Sequence, residues 1–117
     1  EEEEVISFKP GTKLGLVPEI WGALFVAEDV FKGVDAPVVV TSGREGQHIE
    51  TSLHPVGRAV DLRITHIPSI RWEALHKVLT FRLPQYIILL ETTPPAGLSD
   101  VTQWAPHIHI GYKGVVA

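Results

Sequence analysis

The stretch SLHPVGRAVD, residues 52–61, places one histidine, one glycine and one aspartate within ten positions. Polar and apolar side chains alternate over residues 57–64, which predicts a strand with one buried face. His54 then lies at the end of a loop and Asp61 lies within the strand. Gly57 allows the backbone to turn tightly between them. The stretch therefore brings an imidazole and a carboxylate, two ordinary zinc ligands, toward one place.

A second segment, His107-Ile108-His109, supplies two more imidazoles. Residues at i and i+2 of a strand point to the same face, so either histidine can complete a three-ligand site while the other stands beside it. A His–His–Asp set with one open position is typical of zinc hydrolases, in which the metal makes hydroxide available at neutral pH. The chain has no cysteine, so a transition-metal site must use His, Asp or Glu. From spacing alone, a metal site and a set of unconnected histidines are equally good interpretations.

The rest of the chain predicts one small α+β domain over residues 1–117, with a mainly antiparallel sheet and two main helices. The predicted elements are a helix over 18–32, strands over 37–41 and 57–64, a helix over 68–81, and strands over 85–91 and 107–112. Residues 1–8 are expected to be a flexible or edge segment. Phe25, Ile70 and Val78 are expected on the apolar faces of the helices. His66 and His76 are interpreted as ordinary surface or hydrogen-bonded core residues.

Composition excludes two classes of partner. The net charge of −4 argues against a nucleic-acid surface, which needs clustered Lys and Arg. No apolar run approaches the ~20 residues that a membrane-spanning helix needs. We expect a monomer.

The two histidine segments resemble a known family. SLHPVGRAVD looks like the SxHxxGxAxD signature of the zinc D-Ala-D-Ala carboxypeptidases and LD-endopeptidases of peptidoglycan, which share their fold with the hedgehog signalling domain. VTSGR, residues 40–44, is similar to the (V/T)SGxR segment of the bacterial and phage carboxypeptidases, and HIH is close to the hedgehog form. The resemblance spans roughly residues 14–112. It implies a hedgehog/D-Ala-D-Ala peptidase-like fold and a zinc metallopeptidase that cleaves peptidoglycan stem peptides, as a phage endolysin or a bacterial lytic enzyme does at the cell wall.

Carried over by position, the resemblance makes His54, Asp61 and His109 the ligands of one Zn²⁺ ion. It places His107 beside the metal, where an imidazole can hydrogen-bond the developing oxyanion.

Three residues upstream are candidate substrate-binding positions on the same resemblance. Arg44 would hold a substrate carbonyl or carboxylate, or else is a surface arginine paired with a nearby glutamate. His48 matches a histidine that lines the hedgehog-type cleft, or else is an exposed loop residue. Ser52 binds substrate or caps its loop.

The expected general base departs from the family pattern. In the HxH form a glutamate stands four residues before the first histidine, and here that position is Gln103. A glutamine amide cannot accept a proton at neutral pH. The chain is then an inactive variant, or its base is another carboxylate such as Asp100 or Glu91. The third alternative is a non-catalytic, zinc-containing binding module of the hedgehog-like type.

Overall fold

The computed structural model of the chain describes residues 6–12, 15–43, 57–98, 101–102 and 104–113. Its elements, in chain order, are β1 (Ile6–Phe8), α1 (Pro18–Lys32), β2 (Val38–Ser42), β3 (Ala59–Arg63), a 3₁₀ turn (Ser69–Arg71), α2 (Trp72–Arg82), β4 (Tyr86–Glu91) and β5 (His107–Tyr112). The predicted helices and strands are all present, with ends that differ by one or a few residues. The described residues form a small α+β domain with two helices and a mostly antiparallel sheet, as the sequence predicts. β1 is a fifth strand that the sequence did not predict.

The five strands form one sheet in the order β1-β2-β3-β5-β4. β1 runs parallel to β2, and the other three pairings are antiparallel. β1 therefore lies at one edge of the sheet, and it comes from the segment for which a flexible or edge position was expected. β5 lies between β3 and β4, so its side chains have neighbours on both sides.

Both helices pack on the same face of the sheet. α1 contacts β2, β5 and α2, and α2 contacts β4. The buried side chains between the two layers are all apolar; on the strands they are Val38, Val40, Val60, Leu62, Ile88, Ile108 and Ile110, and on the helices chiefly Ile20, Leu24, Phe31, Leu75 and Leu79. The predicted alternation is thus correct on β3 and β5, and it leaves the polar members of both strands on the opposite face.

Three apolar residues expected on the core-facing sides of the helices are exposed. Phe25 is 60% exposed, Ile70 is 89% exposed and Val78 is 45% exposed. Ile70 lies in the 3₁₀ turn, which rotates the start of the segment relative to a continuous α-helix. α2 itself packs beside β4, the edge strand, so only the narrow stripe of Leu75 and Leu79 is covered. The prediction for these three positions was wrong because it assumed a full apolar face on each helix.

A tyrosine pair closes the core where α1 meets β4 and β5. The rings of Tyr86 and Tyr112 lie 5.2 Å apart, and the Tyr86 hydroxyl donates a hydrogen bond to the backbone carbonyl of Glu19 at 2.9 Å. Burial, together with the neighbouring Tyr112 and Glu19, raises the pKa of Tyr86 above its usual value. The hydroxyl is therefore neutral in the folded protein, as its role of donor requires.

Gly57, the glycine of the 52–61 stretch, has a positive φ of 76° and a closely packed α-carbon. A Cβ at this position would lie 2.3 Å from the carbonyl oxygen of Gly15. The carbonyl of Gly57 also accepts a hydrogen bond from the Val17 amide at 2.9 Å, which ties the loop to the start of α1. The tight turn predicted at Gly57 is therefore present, and it needs glycine for both conformation and space.

We expect Gly57→Ala to lower the free energy of unfolding by at least about 3 kcal/mol, because it combines an unfavourable backbone conformation with a steric clash. Urea unfolding measures the change. Gly97→Ala is the matched control, since Gly97 has φ 87° but nothing within 4 Å of a built Cβ. The control should lose only about 1–2 kcal/mol. Equal losses in the two variants would contradict the clash.

Candidate metal centre

The polar side chains of three neighbouring strands meet on the sheet face opposite the helices. The register places Asp61 of β3 beside His109 of β5, and His109 beside Leu89 of β4. Two residues away on each strand, a second row consists of Arg63, His107 and Glu91. Because successive side chains alternate between faces, these rows share one side of the sheet, as predicted for the two histidines. The buried Ile108 and Ile110 between them fix that orientation.

Asp61 and His109 form the inner part of this cluster. Oδ1 of Asp61 lies 3.1 Å from Nδ1 of His109, and the two side chains are 15% and 16% exposed. Two ligand atoms on one tetrahedral zinc ion lie about 3.3 Å apart, at bonds of about 2.0–2.1 Å. The spacing of Asp61 and His109 therefore fits shared coordination as well as it fits a hydrogen bond.

Glu91 joins the cluster from the end of β4. Within the described residues, Asp61, Glu91 and His109 form a group whose potential ligand atoms all lie within 4.8 Å of one another. One imidazole nitrogen and two carboxylate oxygens are donors that zinc accepts. The group is thus one possible three-residue metal-binding site, and Glu91 was not among the ligands that the sequence predicted.

His107 connects Glu91 to the rest of the cluster. Its Nε2 lies 2.7 Å from Oε1 of Glu91 and 3.8 Å from Oδ2 of Asp61. Its Nδ1 donates a hydrogen bond to the carbonyl oxygen of Ala105 at 2.9 Å, because a carbonyl can only accept. Nε2 of His107 and Oε1 of Glu91 are within hydrogen-bond distance, directly beside the possible metal group.

Residues just before β5, chiefly Trp104, pack against the His107 ring. Trp104 packs against His107 edge-on, with the ring centroids 5.5 Å apart, and the backbone amide of Trp104 donates to the Val101 carbonyl at 3.1 Å. His107 is only 14% exposed, so its ring is held on one side by Trp104 and on another by the carboxylates. Such packing restricts the rotamers of a side chain and keeps its polar atoms aimed at their partners.

A β-bulge lies where β2 passes Asp61. Val40 pairs with Leu62, but Ser42 pairs with Asp61, so the register shifts by one residue around Thr41. The Thr41 hydroxyl donates a hydrogen bond to the Asp61 backbone carbonyl at 3.4 Å. Bulges locally redirect side chains and are common beside active sites. The Thr41 and Ser42 residues at this bulge line a cavity together with Asp61 and His107.

Of the residues predicted for the site, the described part of the chain contains Asp61, His107 and His109, and it brings all three together. Six others lie outside the described residues: Arg44, His48, Ser52, His54, Asp100 and Gln103. Their roles stay predictions.

The two histidines that we interpreted as ordinary residues lie elsewhere. Nε2 of His66 lies 2.9 Å from the Pro37 carbonyl, and Nε2 of His76 lies 2.8 Å from the Ile88 carbonyl. Both side chains thus have backbone partners, as that interpretation expects.

Sequence reasoning missed three neighbours of the cluster. Arg63 lies two residues after Asp61 on a strand, and this spacing alone places both on one face. Trp104 had no comparable signal, because it lies in an irregular segment between two strands. Lys9, just after β1, lines a cavity of about 400 Å³ together with Asp61 and His107, and nothing in its local sequence indicates this.

Comparison of the chain with protein-family models, with curated proteins and with solved structures found no match. Within the described residues, neither helix has the length and apolar character needed to cross a membrane. The geometry of the cluster and the sequence motifs therefore carry the functional argument.

Proposed function

We propose that the protein is a zinc metallopeptidase that hydrolyses peptide bonds in peptidoglycan stem peptides, with a fold of the hedgehog/D-Ala-D-Ala peptidase type. The observation that supports this most is the meeting of Asp61 and His109 with the His107–Glu91 pair on one sheet face. The SxHxxGxAxD and HxH motifs of the sequence supply this same aspartate and both of these histidines. We propose that the enzyme acts on the bacterial cell wall.

His54, Asp61 and His109 would hold the zinc ion in this proposal. Bound zinc would polarise the scissile carbonyl and lower the pKa of water. Glu91 has the position and chemistry of the general base, because its carboxylate lies within the cluster and contacts Nε2 of His107 at 2.7 Å. In the reaction Glu91 takes a proton from the attacking water and returns it to the leaving amine.

His107 acts through Glu91 in this mechanism. Both of its ring nitrogens are engaged, one with the Ala105 carbonyl and the other with the Glu91 carboxylate. The family resemblance implied that His107 hydrogen-bonds the developing oxyanion. With both ring nitrogens engaged, His107 has no N–H left for that role. We propose instead that His107 is a positioning residue that fixes the orientation of Glu91.

The test is mass spectrometry of purified peptidoglycan fragments after incubation with the zinc-loaded protein. We expect loss of part of the stem peptide, and no loss after zinc has been removed with a chelator. A matched thermal unfolding experiment with and without zinc should show a higher melting temperature with the metal, because zinc binds the native state.

Gln103 favours a second candidate, a zinc-containing binding module without turnover. The same pair of experiments separates the two functions. Stabilisation by zinc with no cleavage of any fragment would support the binding module and contradict the peptidase. If zinc does not stabilise the protein and no fragment is cleaved, both functions are contradicted.

A further inference from the structure

The Glu91–His107 pair offers metal-binding atoms beyond those that hold zinc in the proposed function. Nε2 of His107 lies 2.7 Å from Oε1 of Glu91. The same Nε2 lies 3.8 Å from Oδ2 of Asp61, whose other carboxylate oxygen lies against His109. Two ligand atoms on one tetrahedral zinc ion are about 3.3 Å apart, and the two observed distances lie on either side of that value. One nitrogen and two carboxylate oxygens thus meet at a second place in the cluster.

The ring of His107 has the orientation of a metal-binding imidazole. Its Nδ1 lies 2.9 Å from the Ala105 carbonyl, which can only accept, so this nitrogen carries the proton. In the neutral ring Nε2 then presents its lone pair to Glu91. Histidine ligands in proteins commonly have their second nitrogen fixed by a backbone carbonyl in this way. His107 is therefore prepared to bind a cation that lies between its ring and the Glu91 carboxylate.

The charges around this place predict weak binding. Asp61 and Glu91 contribute two negative charges, and one zinc ion in the cluster already balances them. Arg63 is the cross-strand neighbour of His107 and lines a cavity together with Asp61 and His107, so it adds a positive charge nearby. A second dication therefore meets more repulsion than the first and binds less tightly.

We infer that His107, Glu91 and Oδ2 of Asp61 form a second, weaker zinc site, and that filling this site inhibits the peptidase. The inhibition rests on the proposed function, in which Glu91 is the general base. A carboxylate that holds a metal ion is not free to take a proton from the attacking water. Asp61 serves both sites, with one oxygen toward His109 and the other toward His107. Excess zinc thus switches off an enzyme that needs one zinc ion.

Calorimetric titration of zinc into the metal-free full chain tests the site without any cleavage. We expect two ions in the cluster, the second with a Kd at least about tenfold above that of the first. His107→Phe keeps a ring beside Trp104 but has no nitrogen, so it should bind one ion fewer than the wild-type protein and keep the tight ion. Glu91→Gln should weaken the second ion in the same way, because it removes a negative charge.

His66→Gln is the matched control, because His66 is an exposed histidine bonded to the Pro37 carbonyl, away from the cluster. It should bind as many ions as the wild-type protein. Equal stoichiometry in the wild-type protein and in His107→Phe would overturn the second site, and so would the same loss in His66→Gln.

Arg63→Gln should have the opposite effect. Removal of the guanidinium charge should lower the second Kd by up to about tenfold and leave the first Kd close to the wild-type value. A purely structural loss at the cluster would weaken both ions instead. A second Kd that rises in Arg63→Gln would contradict the assignment.

Cleavage of stem-peptide fragments at increasing zinc concentration tests the inhibition. The rate should be highest when one ion is bound per cluster and should fall with a midpoint at the second Kd. Arg63→Gln should move both midpoints together. Full cleavage with the second ion bound would overturn the inhibition and leave the site intact. If no fragment is cleaved at any zinc concentration, the proposed peptidase and its inhibition fail, whereas an ion that only His107→Phe loses would still support the second site.

Discussion

Zinc binding should be lost, or weakened by at least about 100-fold, when Asp61 is replaced by asparagine. Asp61 contacts His109 through one carboxylate oxygen and faces His107 through the other, so its charge serves the whole cluster. An amide of nearly the same shape keeps the packing but removes the negative charge that compensates a dication. Metal analysis of the purified variant and competition with a chelator measure stoichiometry and affinity. The zinc-dependent rise in melting temperature should disappear with them.

Asp35→Asn is the matched control for this change. Asp35 is exposed, belongs to the turn after α1, and has a positive φ of 58° that asparagine adopts readily. It should bind zinc as the wild-type protein does. An Asp61→Asn variant that binds one zinc ion per chain at wild-type affinity would show that the zinc site does not include Asp61. His54→Ala, by contrast, tests the ligand that comes from the resemblance alone.

The alternation of side chains explains why much of this site could be predicted from sequence. Buried and half-buried residues alternate over residues 60–63 of β3 and 107–110 of β5. The positions of Asp61, His107 and His109 on one face therefore follow from the pattern of their apolar neighbours. Pairing of β3 with β5 was not visible in that pattern, because strand order and register depend on contacts between distant parts of the chain. The sequence could therefore place each side chain on a face but could not measure its distance to another.

β1 and the helix surfaces show the opposite case. Among the described residues β1 has three residues and pairs with β2 alone. Three residues carry too few alternating positions to indicate a strand. Ile70 is an apolar residue of the kind usually found in a core, yet it is exposed. Its exposure is explained by the 3₁₀ turn in which it lies and by the edge position of β4. Apolar composition indicates which residues can be buried, whereas the packing of the layers decides which of them are.

The proposed general base, Glu91, lies far along the chain from the position that the family pattern gives for this residue. The family pattern counts four residues back from His107 and reaches Gln103, whereas Glu91 lies 16 residues before His107. β4 and β5 are antiparallel neighbours, and their register sets Glu91 opposite His107. The length of the intervening loop does not alter that register. The sheet register, which spacing along the chain does not reveal, therefore brings Glu91 to His107.

Replacing Glu91 by glutamine should lower kcat by about 10²–10⁴-fold while leaving zinc affinity close to the wild-type value. The reason is that glutamine keeps the size of the side chain and a hydrogen bond to His107 but cannot take a proton. Rates of cleavage of a stem peptide, measured beside zinc affinity, give both quantities. If Glu91→Gln loses zinc affinity as well as kcat, Glu91 is a metal ligand, as its place in the three-residue group also allows.

Gln103→Glu is the complementary variant, because it restores the glutamate that the family pattern expects. If Glu91 is the base, Gln103→Glu should change kcat by less than about tenfold and should not rescue the Glu91→Gln protein. Asp100→Asn should likewise have little effect. Activity that appears only in Gln103→Glu would contradict the role of Glu91 and identify a scaffold disabled at its base. The Glu91→Gln/Gln103→Glu double variant therefore decides between two positions for the general base: residue 91, opposite His107 in the sheet, and residue 103, four residues before His107.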